Sequence, residues 1–156
     1  MKKQGLIAGF ALAAAMALSP YGISAASDAG PAVGDEMEDG TIYAGVSHDT
    51  HKPLYTTPAD APGIYTWTKG GDYCRAFQAS GHQDWHVSTK DELNVLFENR
   101  NQGKLKGTFN ETGSYPAGWY WSSSPYYVGS AWAQRFRDGD QDGILREGDS
   151  SLRCVR

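Results

Sequence analysis

The chain has 156 residues, with 14 Lys and Arg against 18 Asp and Glu and a net charge of −4. That balance lacks the basic stripe that nucleic-acid binding requires. Nineteen glycines, five tryptophans and nine tyrosines describe a loop-rich domain with an aromatic core rather than a helical bundle.

The N-terminus is read as a targeting segment. Lys2 and Lys3 precede the uncharged apolar run Gly5 to Leu18, Pro20 breaks it, and Ser24, Ala25 and Ala26 supply the small residues of a cleavage site. The run is shorter than the ~20 apolar residues that span a bilayer. Residues 1–26 are therefore expected to be a cleaved signal peptide. The first cysteine is Cys74, so none near the cleavage site could accept a lipid. The expected product is periplasmic or secreted and not embedded in a membrane. Loss of Lys2 and Lys3 moves its charge from −4 to −6, and about 130 residues suit one domain with one core.

Residues 27–39, small and polar with an acidic cluster at Asp35 to Glu38, read as a linker, and the domain is expected over residues 40–156. Thr41 to Ser47 and Pro53 to Thr57 flank the polar turn His48–His51, the pattern of a hairpin. Trp67, Tyr73, Cys74 and Phe77 are spaced for a first helix from Thr66 to about Ala79, stopped by Gly81 and weakened by Gly70-Gly71. Thr89 and Glu92 form a capping box at the start of a second helix, whose apolar stripe is Leu93, Leu96 and Phe97. From Trp119 onward short strands alternate with turns: Trp119 to Ser123, Ala131 to Asp138, a Gly/Asp-rich turn, and Ser151 to Arg156. Trp132, Gln134 and Phe136 alternate with Ala133, Arg135 and Arg137, so one face is expected to be buried and the other wet. The layout is α+β, two helices followed by an antiparallel sheet. Trp85, Leu93, Phe97, Trp121, Trp132 and Phe136 are the expected core.

Cys74 and Cys154 are the only cysteines. An oxidising compartment makes their pairing the default, with two buried free thiols as the alternative. A catalytic thiol is disfavoured, because there is no Cys-x-x-Cys and no histidine near either cysteine in sequence. His48-x-x-His51 and His82-x-x-x-His86 each offer half a metal site without a third ligand at a plausible spacing. Asn110-Glu-Thr112 is a glycosylation sequon that an exported bacterial chain has little reason to use, and Ser122 to Ser124 lack a nucleophile elbow or a partner base.

Asp138 to Asp149 permits two readings. Asp138, Asp140, Asp142 and Asp149, with Gly143 at the sixth position, follow the calcium-loop pattern, although the flanks read as strands. The favoured reading needs no metal or other cofactor. In it Tyr126, Tyr127, Val128, Ala133, Arg135, Arg137, Asp140, Asp142, Ile144 and Arg146 form a recognition surface of mixed chemistry.

Several segments occur together in order: Trp85 to Leu93, Phe109-Asn110, Gly118 to Ser124, Ala131 to Phe136, Asp138-Gly139 and Leu152 to Arg156. In this the chain resembles the Legionella collagen-like protein C-terminal domain family from about Gly40 to the last residue. One departure is Val87-Ser88, where the family usually carries Leu-Pro or Val-Pro. The resemblance implies a C-type-lectin-like fold, related to formylglycine-generating enzymes and to lectin-fold proteins diversified by retroelements. It also implies a disulfide from a first-helix cysteine to the last strand, where Cys74 and Cys154 fall. In the diversified relatives the C-terminal segment is the variable binding surface, so the expected function is non-enzymatic recognition of a protein or glycan. The formylglycine-type chemistry uses a thiol pair near the C-terminus, where this chain has only Cys154.

Overall fold

A computed structural model describes residues 29–156, so the expected signal peptide lies outside the described residues. In chain order the elements are β1 (Ile42–Val46), β2 (Pro53–Thr56), β3 (Tyr65–Thr66), α1 (Trp67–Ala76), β4 (His86–Val87) and α2 (Lys90–Asn99). After a 3-10 turn at Gly103–Leu105 come β5 (Trp119–Pro125), β6 (Ser130–Arg135), β7 (Gln141–Leu145), β8 (Asp149–Ser150) and β9 (Cys154–Val155). Three antiparallel sheets result, in the orders β1-β2-β9-β4, β3-β8 and β5-β6-β7. The α+β class expected from the sequence is the one observed.

The capping box of α2 is complete. Thr89 Oγ1 accepts the Glu92 N–H at 3.1 Å and Glu92 Oε2 accepts the Thr89 N–H at 3.0 Å, which satisfies two otherwise orphaned donors. Helix α1 has no side-chain cap. It ends at Ala76, three residues before the expected Ala79, because Phe77 turns to an extended conformation. Gly70 is needed inside it: a Cβ there would lie 3.3 Å from Leu152, so glycine lets the helix approach the C-terminal segment.

The β5–β6 pair separates two apolar cores. Tyr120 and Phe136 on one face join Ile42, Leu54, Leu93, Leu96, Leu105 and Val155. Trp121, Ala131 and Ala133 on the other join Cys74, Trp85, Val87 and Leu152. Each large side chain fully buried here contributes about 2–3 kcal/mol of transfer free energy. Cys74 and Cys154 are disulfide-bonded across 80 residues, tying α1 to β9. The pairing alternative is therefore the correct one.

One buried polar network joins the layers. Arg153 is fully buried and donates from Nε to Asp60 at 2.8 Å, from Nη1 to the Thr57 carbonyl at 2.6 Å and from Nη2 to the Thr108 carbonyl. Tyr120 donates to the second Asp60 oxygen at 2.6 Å. Burial lowers the Arg153 pKa, against the pull of Asp60. Burial and the Asp60 charge raise that of Tyr120. A buried charge is tolerated because every strong donor has an acceptor.

Several expectations differ from what the structure shows. Part of the stretch expected as a linker is docked: Val33 packs on the first core, Gly34 N–H donates to the Tyr43 carbonyl at 2.8 Å and Glu36 bridges Ile42. The Gly/Asp-rich turn contains a full strand, β7, paired with β6 from Ser130↔Leu145 to Gln134↔Gln141. Strand β6 stops at Arg135, so Arg137 lies in the turn and not on a strand face. Trp132 and Phe97 are half-buried rather than core. Alternation along β6 did not mark one wet face, since helices cover parts of both sides and the residues hidden there are Ala131, Ala133, Gln134 and Phe136.

Candidate binding surface

The sheet β5-β6-β7 ends in a tight turn, Tyr126–Gly129. Tyr126 N–H donates to the Ser130 carbonyl at 3.2 Å, Ser130 N–H returns to Tyr127 at 2.9 Å, and Gly129 takes φ +75°. That conformation disfavours residues with a Cβ. The turn holds Tyr127 and Val128 out of the fold at 75% and 89% exposure. Leu145, opposite Ser130 in the register, stands beside them at 62%. Tyr126 bends back over the sheet, its ring edge-on to Trp132 with centroids 4.5 Å apart. Gly143 makes room for it: a Cβ there would fall 2.0 Å from the Tyr126 ring. Lys90 covers Trp132 from α2, 3.8 Å from the ring centroid. Arg146 borders the same end, with its N–H on the Gly129 carbonyl at 2.9 Å and its guanidinium 4.1 Å from the Trp67 ring.

The opposite end of β6 is a closed ionic cluster. Arg135 binds Asp138 through Nε and Nη2 at 2.8 and 2.9 Å, reaches Asp140 at 3.2 Å and lies over Trp119. The hydrogen bonds to Asp138 raise the Arg135 pKa, and the same bonds lower that of Asp138. Arg137 is exposed, and the Gly113 loop lies against its stem.

The residues expected to bind thus fall into groups. Tyr126, Tyr127 and Arg146 meet at the hairpin end. Arg135, Arg137 and Asp140 sit at the far end of β6, about 17 Å away at ~3.3 Å per residue. Ile144 is half-buried against the second core, and Asp142 lies between the ends with its carboxylate on the Gly143 N–H at 2.7 Å. Val128 is at the tip and Ala133 is buried. Leu145, the neighbour that completes the apolar tip, falls at the eighth position of the Asp138–Asp149 pattern, and nothing in the sequence marks it as a binding residue.

The residues of the calcium pattern lie on different elements. Asp138 and Asp140 face Arg135, Asp142 stands on β7, and Asp149 pairs with Thr66 in β8. Among the described residues no three His, Cys, Asp or Glu side chains are grouped to hold a metal ion.

The histidines have other partners. His82 Nε2 meets Asp39 at 2.6 Å, and hydrogen bonds from the Thr41 backbone and hydroxyl, with His82, hold Asp39 down to about 2. His86 Nε2 meets Glu92 at 3.3 Å, which raises the His86 pKa. Burial opposes the Glu92 charge, but hydrogen bonds from His86, the Thr89 N–H and Ser47 outweigh it and lower the Glu92 pKa. His86, Glu92 and Ser47 line a cleft of about 340 Å³ with Tyr55, Asp84 and Arg156. His48 and His51 are exposed in the β1–β2 turn. Ser122 donates to the Trp132 carbonyl, Ser123 donates to Ser88, and Ser124 accepts the Lys90 N–H, so the serine run holds β5 in place. Asn110 caps its own turn by accepting from Thr112.

Fold and surface define a disulfide-bonded α+β domain that presents an exposed hairpin end bearing Tyr127 and Val128. The chain matches the family model described as the Lcl C-terminal domain over residues 44–156, and it belongs to that family. No curated protein matches the sequence. Among the described residues no helix is long and apolar enough to cross a membrane.

Proposed function

We propose that the chain is an exported, non-catalytic binding module that holds a protein ligand on the β5–β6 hairpin end and the adjoining end of β7. The observation that carries this reading is the exposed set Tyr126, Tyr127, Val128 and Leu145, which the hairpin turn and the Ser130↔Leu145 register bring to one end of the sheet. Interfaces draw their affinity from such aromatic anchors, with arginine beside them. Val128 and Leu145 favour a protein over a glycan: a sugar needs converging hydrogen-bonding groups, which exposed aliphatic side chains do not supply, and the Tyr126 ring is packed against Gly143 and Trp132. Of the residues expected to bind, Tyr126, Tyr127 and Arg146 belong to this site, while Arg135 and Asp140 satisfy each other elsewhere. Recognition in this reading needs no calcium or other cofactor.

Export is supported by the segment over residues 1–26 and by a buried disulfide suited to an oxidising compartment. The non-catalytic reading is supported by the engagement of both cysteines with each other and of the serine run with backbone groups. The lectin-like fold expected from the family resemblance suits a role in adhesion.

An array of bacterial-surface and host proteins and glycans tests the reading. A protein hit should lose about 1–3 kcal/mol of binding in the Tyr127→Ala/Val128→Ala variant, with stability moving by less than about 0.5 kcal/mol. Arg135→Ala serves as the control at the far end. Binding that survives the double variant refutes the site. Loss on chelation would assign it to Asp138, Asp140, Asp142 and Asp149 instead.

A further inference from the structure

The sheet beside this surface ends at β7, and the register says which groups that strand turns outward. Arg135 N–H donates to the Asp140 carbonyl at 2.8 Å and Arg146 N–H to the Gly129 carbonyl at 2.9 Å. In an antiparallel pair, hydrogen-bonded and non-hydrogen-bonded residues alternate. With Ala133 opposite Asp142 and Ala131 opposite Ile144, the backbones of Asp142 and Ile144 therefore face β6. Those of Gln141, Gly143 and Leu145 face away from it. Among the described residues β7 pairs with β6 alone, so these outward groups lie on an edge.

Two of the outward groups are already engaged. The Leu145 carbonyl accepts the Gly148 N–H at 2.8 Å, so the following turn closes one end of the edge. The Gly143 N–H is covered by the carboxylate of its own neighbour, Asp142. Asp142 is exposed, and it has no cation within ion-pair distance among the described residues, unlike Asp138 and Asp140 on Arg135. A cation brought alongside would draw the Asp142 carboxylate away and free the Gly143 N–H. Glu147, exposed in the next turn, adds a second carboxylate with no ion pair among the described residues.

We infer that β7 is a docking edge, where an extended, cation-bearing segment of a protein partner adds to the sheet as an outer strand beside Gln141–Leu145. This rests on the protein-binding reading and specifies how the partner is held. Main-chain hydrogen bonds to the edge supply affinity, and alternate side chains supply specificity. Lysine or arginine faces Asp142, and apolar residues meet Leu145, Val128 and Tyr127. A second copy of this chain is disfavoured, because two such edges would bring the same carboxylates together.

The probe is a synthetic peptide alternating lysine and valine, with a twin N-methylated on the amides of one edge. The parent peptide should bind saturably and slow amide exchange at Gln141, Gly143 and Leu145, and the twin should bind at least about fivefold more weakly, the equivalent of one hydrogen bond. Leu145→Pro removes an outward donor without touching the β6 ladder. It should weaken peptide binding beyond the effect of Leu145→Ala. Equal binding of peptide and twin, or no saturable binding up to millimolar peptide, overturns the docking edge even if Leu145→Pro fails to fold. A protein hit that is lost in Tyr127→Ala/Val128→Ala yet binds Leu145→Pro as well as Leu145→Ala also overturns it, while leaving the hairpin-end site standing.

Discussion

Replacing both cysteines, Cys74→Ala/Cys154→Ala, removes the bond that ties α1 to β9. The bond closes 80 residues, and the chain-entropy treatment assigns a loop of that length about 4–5 kcal/mol. Both sulfurs are buried beside Trp121 and Leu152, so the lost atoms add about 1 kcal/mol of packing defect. Together this rivals the whole stability of a domain, about 5–15 kcal/mol. At a few degrees per kcal/mol, the melting temperature should fall by about 15–25 °C. Calorimetry of the double variant against oxidised wild type reads the difference, and thiol titration of native wild type should find no reactive group. A fall of only a few degrees, or two reactive thiols in the native protein, would refute the reasoning.

Arg153→Met removes a fully buried cation, leaving the partly exposed Asp60 and the Thr57 and Thr108 carbonyls without their donor, and should cost about 3 kcal/mol in chemical denaturation. Adding Asp60→Leu should recover part of that loss. Trp132→Ala should cost about 1–2 kcal/mol, since the ring is half-buried under Lys90. Trp121→Ala, at a fully buried position, should cost about 3–5 kcal/mol. The His86–Glu92 pair makes stability depend on pH at both ends. His86 is raised in the fold, so its contribution is complete below the ordinary histidine value of about 6.5 and fades as pH rises through the folded value. Glu92 is lowered, so its contribution holds above the ordinary value of about 4.5 and fades as pH falls through the folded value. Melting temperatures of wild type should decline as pH rises past neutrality, and His86→Gln should remove that decline. An unchanged slope would contradict the pairing.

Local rules were enough where the signal is local. The Thr89–Glu92 capping box, the first hairpin and the start of β5 could be read from residue type and spacing, and all three are present. Strand β7 escaped because Asp-Gly-Asp-Gln-Asp-Gly is turn-like in composition. What makes Gln141–Leu145 extended is pairing with β6, a tertiary effect that overrides propensity. The same holds for Trp132, whose residue type argues for burial while its position beneath Lys90 and Tyr126 leaves it half-open. Tyr126 and Tyr127 were legible as surface residues. That they sit a strand's length from Arg135 was not, since distance along a hairpin follows from its register. The Arg153–Asp60–Tyr120 network joins residues 93 and 60 positions apart, and no short-range pattern reveals it.

Amide hydrogen exchange on the complex with a protein ligand tests the central claim most directly. The account expects new protection over residues 126–130 and 141–146, with the Arg135–Asp140 turn and the His86–Glu92 cleft unchanged. Protection confined to either of those regions, with the hairpin end exchanging as in the free protein, would contradict it.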